Sequence, residues 1–339
     1  MSGLSLRGVE LARAGFHLGP IDLDVPPGTA TVLLGPSGAG KTTLLRATAG
    51  FLAVRRGTIE LDGRPLETEP PERRGFGFVP PSLGLFPHRT VERNVRFALE
   101  ISGAPDAAAR ARRWIEHFAL GSLARRYPSQ LSSGERQRVA MARALAAEPK
   151  ALLWDEPLNA LDVESREALL GVLTDVLEEE RIPLLLVTHD PTTALALATR
   201  LVVLERGRIR FRGRPEELAA GRLDRFTARF LGYENLASRE ELAGCGDPAR
   251  AADLLSRAGP GGLLLPPEAI SWAPGAGSAT VRSIRWTASG WSVTVQWGSL
   301  TVRAGSGSPP GRLRAGDRVG LSIDLEKVKP LDASEGVGA

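Results

Sequence analysis

The stretch GPSGAGKT, Gly35 to Thr42, has the residue types and spacing to grip phosphate. It fits G-x-x-x-x-G-K-[ST] and lies between a run that reads as a buried strand, ATVLLG, and one that reads as a helix, KTTLLRATAG. Gly35, Gly38 and Gly40, with Pro36, Ser37 and Ala39 among them, let the backbone curl until several N–H groups face one anion. The positive end of the following helix adds to that attraction. Lys41 then reaches the β- and γ-phosphates, and the hydroxyl of Thr42, next to Thr43, is placed for Mg²⁺. A nucleotide site is expected.

ALLWDEP, starting at Ala151, supplies acids. Asp155 ends an apolar run that reads as a parallel strand, and α/β sheets hold their ligands at that end. It is expected to bind Mg²⁺, directly or through water. Glu156 follows it as the natural base to polarise an attacking water. At this stage a kinase, a GTPase and a helicase-like motor all remain open.

LSSGERQRVAMARAL, starting at Leu131, narrows the choice. On these residues the chain resembles the ATP-binding-cassette (ABC) ATPases, whose signature is LSGGQ. Here the five positions are Leu131, Ser132, Ser133, Gly134 and Glu135, with Ser133 for a glycine and Glu135 for the glutamine. Read alone, Ser132 with Glu135 is a capping box at a helix start. The resemblance implies a further role, a phosphate cradle used by the opposite subunit of a head-to-tail homodimer. NALD (Asn159, Ala160, Leu161, Asp162) resembles the family's D-loop, which joins the two subunits. LLLVTHD ends in His189, which matches the switch histidine that contacts the γ-phosphate.

Two positions depart from the family pattern. The aromatic that usually stacks on adenine is replaced by Arg13, whose guanidinium plane can also stack, and Phe16 stands close by. Phe16 reads equally well as a core residue. In GFGFVPPSLGLFPH, residues 75–88, Pro81 takes the place of the Q-loop glutamine that touches the metal and the attacking water. Proline has neither the amide side chain nor a backbone donor, so Ser82 or a water is the expected substitute. Leu83, Leu85, Phe86 and Val91 beyond it suit either a groove for a partner helix or the core of a helical lobe.

These residues need a scaffold, and the sequence texture supplies one. From about residue 4 to residue 232, strand-length apolar runs alternate with helical patterns, the mark of a mainly parallel α/β sheet. ATVLLG, ALLWD and PLLLVT read as strands buried on both faces. The expected fold class is an α/β P-loop ABC cassette over 1–235, with a helical subdomain roughly over 82–150. A small all-β, OB- or TOBE-like barrel is expected over 236–339, ending in a flexible tail. In that second part, ATVRSIRWTASGWSVTVQWGSLTVRAG alternates apolar and polar residues around a Ser-Gly turn, and GSGSPPG reads as a connector. Trp272, Trp286, Trp291 and Trp297 are expected in its core, although exposed aromatics there would stack on nucleic acid.

Composition bounds the partners. The chain has 339 residues, 42% hydrophobic, with net charge +4 and only 4 lysines among 43 basic residues. The basic residues are scattered, so a solvated surface is read and no nucleic-acid partner is expected. The apolar runs fall far short of the ~20 residues a membrane span needs, and the first residues do not resemble a signal peptide. The lone Cys245 reads as an ordinary thiol. The resemblance implies ATP and Mg²⁺ as cofactors and a peripheral place on the cytoplasmic face of the membrane. It also implies permease subunits as partners and, through them, a solute-binding protein. AGF at 49–51, LFPH and FLGYENL at 230–236 resemble importer cassettes for molybdate, tungstate and related small solutes. The alternatives are a soluble ABC ATPase acting on nucleic acid or ribosomes, and a degenerate regulatory cassette.

Overall fold

The computed structural model describes residues 3–13, 15–158, 161–220, 223–287, 290–306 and 313–333. Two compact units result, Met1–Glu216 and Glu217–Ala339.

The first unit is organised by the apolar runs. Strands β3 (Ala30–Leu34), β7 (Ala151–Asp155) and β8 (Leu184–Thr188) are buried at every residue. With β6 (Phe76–Val79), β9 (Arg200–Glu205) and β10 (Arg208–Gly213) they form a six-stranded sheet ordered β10-β9-β3-β8-β7-β6. All its pairings are parallel except the β9–β10 hairpin. Strands with no solvent face need cover on both sides, which is why the Val- and Leu-rich runs carry no alternation. Helix α1 (Lys41–Ala49) packs against β7 and β8, and α6 (Pro191–Leu197) against β3. A second, antiparallel sheet is ordered β2-β1-β4-β5, from β1 (Leu4–Arg13), β2 (Phe16–Val25), β4 (Arg56–Leu61) and β5 (Arg64–Pro65). One apolar core joins this sheet to α1 and the large sheet through Leu6, Ile21, Leu44, Leu153 and Val187.

Between β6 and β7 the chain forms a helical lobe of α2 (Val91–Ser102), α3 (Ala107–His117) and α4 (Ser133–Ala146), packed on one another. Helix α5 (Val163–Glu180) follows β7. Helix α7 (Pro215–Ala220) crosses the boundary between the units.

The second unit holds two four-stranded sheets. One is antiparallel and ordered β16-β15-β14-β17, from β14 (Ile270–Thr287), β15 (Gly290–Trp297), β16 (Leu300–Ser306) and β17 (Arg318–Ile323). The other is ordered β11-β18-β13-β12, from β11 (Leu223–Asp224), β12 (Leu236–Ala237), β13 (Gly262–Leu264) and β18 (Lys329–Asp332). Three short helices accompany them, α8 (Arg225–Phe230), α9 (Arg239–Ala243) and α10 (Pro248–Arg257). The pairing of Leu223 with Leu331 and Asp224 with Asp332 draws the segment before residue 236 into this unit. The boundary therefore falls earlier than the change in sequence texture.

The tryptophans divide, contrary to the core expected for all four. Trp297 is buried and donates its ring N–H to Ser278 at 2.7 Å. Trp272 and Trp291 are half-buried. Trp286 is 67% exposed and meets Trp291 edge-on at 5.3 Å between centroids. It stands one residue from the hairpin turn, where the strand has little above it to pack against. The GSGSPPG connector and the tail fall largely outside the described residues.

Candidate functional site

The phosphate loop is shaped by close approach. Gly40 has φ 105° and caps α1, and a Cβ there would lie 2.4 Å from Leu18 Cδ1 and 2.9 Å from Phe16 Cζ. A Cβ on Gly35 would lie 2.2 Å from the carbonyl oxygen of Leu204. Only glycine lets the loop lie this near its neighbours. Lys41 is buried and folds back over the loop, donating to the carbonyls of Gly35 at 2.7 Å and Pro36 at 3.0 Å. Burial lowers its pKa from the ordinary lysine range, and the charges of Glu156 and Asp155 oppose that shift. A pocket of about 500 Å³ opens here, lined by Phe16, Ser37, Gly38, Gly40, Lys41, Thr42, Thr43 and Glu156.

Strand ends bring the acids to it. Thr42 donates its hydroxyl to Asp155 Oδ1 at 2.8 Å, while Asp155 Oδ2 is buried with no hydrogen-bond partner. Burial raises the Asp155 pKa; the Thr42 bond and the charges of Arg46 and Lys41 oppose the rise, and Glu156 adds to it. A buried carboxylate oxygen without a partner, beside a hydroxyl, is a donor set for a small hard cation, so the residues fit Mg²⁺. Thr42 and Asp155 would hold it, and when bound it neutralises charge on the β- and γ-phosphate oxygens.

Glu156 follows directly, with φ 53° and its N–H donated to Val187 O at 2.9 Å. A non-glycine residue in the left-handed region costs ~1–3 kcal/mol. The parallel neighbour β8 sustains it, and the side chain turns toward the pocket. His189, just past the end of β8, places Nδ1 2.6 Å from Glu156 Oε2. A carboxylate only accepts, so this contact needs the hydrogen on Nδ1 of His189. Asp190 secures the histidine's neighbourhood from a place sequence reading passed over. It caps α6 through the N–H groups of Thr192 and Thr193 and pairs with Arg166 of α5 at 3.2 Å. Burial pushes its carboxyl up, but the bonds from Thr193 and Thr192 and the charge of Arg166 hold it below the usual range. The signal was legible, since Asp before Pro191 is a helix start.

The remaining expected residues are dispersed. Phe16 lines the pocket, which keeps it in reach of a base; the side chain of Arg13 lies outside the described residues, as do Asn159 and Ala160. Leu131 is buried, and the Ser132–Glu135 capping box is formed in both directions, at 3.2 and 2.7 Å. Ser133 and Gly134 open α4, and a Cβ on Gly134 would lie 3.5 Å from Leu161 Cδ2. Leu161 is buried and Asp162 caps α5. None of the five signature residues lines the pocket of its own chain. Pro81 and Ser82 are exposed in the turn after β6 and do not line it either.

A phosphate loop, two strand-end acids, a strand-end histidine and a capped signature helix define a P-loop ATPase cassette. Residues 18–159 match the ABC transporter family model, and the chain belongs to the family of ABC transporter ATP-binding subunits. It is 40% identical to the Fe(3+) ions import ATP-binding protein FbpC of Streptomyces avermitilis over 273 residues, 79% of each chain. It is 44% identical to the sulfate/thiosulfate import ATP-binding protein CysA of Mycobacterium tuberculosis over 214 residues, 62% of this chain and 61% of that one. Thus the match spans under two thirds of the CysA length. Among solved structures, cbiO1 of Clostridium perfringens, part of the ABC transporter complex cbiONQ, aligns with TM-score 0.60 and 26% identity, covering 67% of this chain and 93% of that one. The ATP-binding cassette MJ0796, a dimer in a post-hydrolysis state bound to ADP and Pi, aligns with TM-score 0.56 and 27% identity, covering 62% and 98%.

Proposed function

We propose that this chain is the ATP-hydrolysing subunit of an ABC import system. The observation that carries it is the 2.6 Å Glu156–His189 pair beside an open phosphate loop whose lysine and metal-type donors are all in place. Lys41 exchanges its two loop carbonyls for phosphate oxygens. Glu156 takes the proton of the attacking water, and the His189 N–H holds that carboxylate in one orientation. Ser132 to Glu135 of a second copy close the site from outside, which accounts for a signature segment remote from its own pocket. MgATP should therefore shift the Glu156→Gln protein from monomer towards dimer in sedimentation, or compact a dimer already formed. A species unaltered in mass and shape would rule out the sandwich.

Within this reading the chain works peripherally on the cytoplasmic face, bound to permease subunits served by a solute-binding protein. CysA, FbpC and the spermidine/putrescine import ATP-binding protein PotA of Roseobacter denitrificans, 45% identical over 218 residues, support import of a small solute. Within that range we favour an oxyanion of the molybdate, tungstate or sulfate kind. The second unit is assigned a TOBE-type regulatory role.

Pro81 bears on coupling to the permease. Because it does not line the pocket, Pro81→Gln should leave basal turnover within about threefold and change the stimulation given by the permease. A nearly inactive natural protein restored by that change would place the defect in the catalytic site instead.

A further inference from the structure

The turn that lacks the glutamine is held from the other side. After Val79 the chain folds through Pro80–Gly84, with the Leu83 N–H donated to Pro80 O at 2.8 Å. Leu83 and Gly84 both take left-handed conformations, φ 62° and 60°. Their two carbonyls face one guanidinium, that of Arg143 on α4, which donates to Gly84 O at 2.6 Å and Leu83 O at 2.8 Å. The same guanidinium lies 5.5 Å from the centre of the Phe86 ring. Phe86 in turn packs on Phe97 at 4.3 Å, and Arg89 covers Phe97 at 4.7 Å. Burial lowers the Arg143 pKa from the ordinary guanidinium range. The guanidinium is half-buried, and two carbonyls and a ring face replace part of its hydration. Asn94 of α2, fully buried, binds the next stretch through the N–H and C=O of Phe86 and the carbonyls of Arg89 and Thr90.

We infer that Arg143 is a positioning residue for hydrolysis, joining the signature helix to the turn after β6 through the backbone carbonyls of Leu83 and Gly84. The connection runs through packed, paired elements. Val79 pairs with Trp154, the residue before Asp155, and Arg143 grips the turn that Val79 leads into. Arg143 also lies on the helix whose first turn carries Ser133 to Glu135, about 15 Å away at the helical rise. The strand ends that hold Asp155 and Glu156 are thus connected to α4 by strand pairing and two hydrogen bonds. A planar guanidinium fork can take two such carbonyl acceptors at once. The inference rests on the proposed head-to-tail dimer, in which the signature end of α4 meets the other copy's nucleotide.

The test compares Arg143→Met, which keeps the stem and removes the donors, with Arg143→Lys, which keeps the charge but not the fork. In nucleotide-free full-length protein, the amides of Leu83 and Phe86 should exchange about tenfold faster in Arg143→Met and less so in Arg143→Lys, with α2 from Val95 to Leu99 unchanged. ATP affinity of the monomer should stay within about twofold, while turnover falls about tenfold in Arg143→Met and is partly kept in Arg143→Lys. Trp114→Leu in α3 is the control for general loosening of the lobe. Equal turnover loss in that control at matched Tm would overturn the inference, as would unchanged exchange at Leu83 and Phe86. An inactive natural protein with the expected exchange pattern would remove the hydrolysis reading and, with it, the positioning role, leaving only a structural clamp.

Discussion

Replacing Glu156 by glutamine should lower ATP turnover by ~10²-fold or more and leave ATP binding intact. Glutamine keeps the shape and the left-handed backbone, so the change reports the loss of a proton acceptor rather than relief of strain at φ 53°. On the proposed reading nucleotide would be gripped elsewhere, by Lys41, the loop N–H groups and Thr42, so affinity should survive. His189→Ala should also lose turnover, by about tenfold or more, because it frees a carboxylate now held at 2.6 Å by the imidazole. Steady-state ATPase assays alongside equilibrium nucleotide binding check both. Natural rates in both variants would refute the assignment of base and orienter.

Asp155→Asn should separate folding from function. The carboxyl is buried, one oxygen lacks a partner, and burial raises its pKa in the folded chain. For a raised acid the stabilising contribution of protonation is full below the unfolded-state pKa and is lost as pH rises through the folded one. Above the folded-state pKa the metal-free protein carries a charged group that burial penalises. Asparagine removes that penalty and can still accept from Thr42, so above the folded-state pKa the Tm of the metal-free variant should equal or exceed that of the natural protein. The difference should shrink as pH falls towards the folded pKa. Turnover should drop ~10²-fold or more, since a metal contributes several kcal/mol of charge stabilisation at a phosphoryl centre. Differential scanning calorimetry with and without Mg²⁺, set beside ATPase rates, reads both effects. A large fall in Tm without metal would mean that Asp155 serves the fold through a contact other than the Thr42 bond.

What the sequence determined by itself was the chemistry that depends on neighbours along the chain. A phosphate loop needs glycines, a lysine and a hydroxyl within eight residues, and Gly35 to Thr42 has them in order. A helix cap is equally local, so Ser132 with Glu135 was legible before any fold was known and is formed at both hydrogen bonds. Buried strands announce themselves as unbroken apolar runs, which is why β3, β7 and β8 could be read directly. The tertiary structure decided whatever depends on residues distant in sequence. Glu156 and His189 are 33 positions apart and meet only because β7 and β8 lie side by side in parallel. The boundary at Glu217 follows from Leu223 pairing with Leu331, an association no window of sequence contains. Aromatic residues in a small barrel are more often core, yet residue type and alternation cannot say how far along a strand its face is covered, and Trp286 is exposed. Arg143 was invisible for a related reason. It binds backbone carbonyls, and those of Leu83 and Gly84 face it only once the chain has turned left-handed at both residues, 60 and 59 positions away. Side-chain types in a sequence carry no record of where a carbonyl will point.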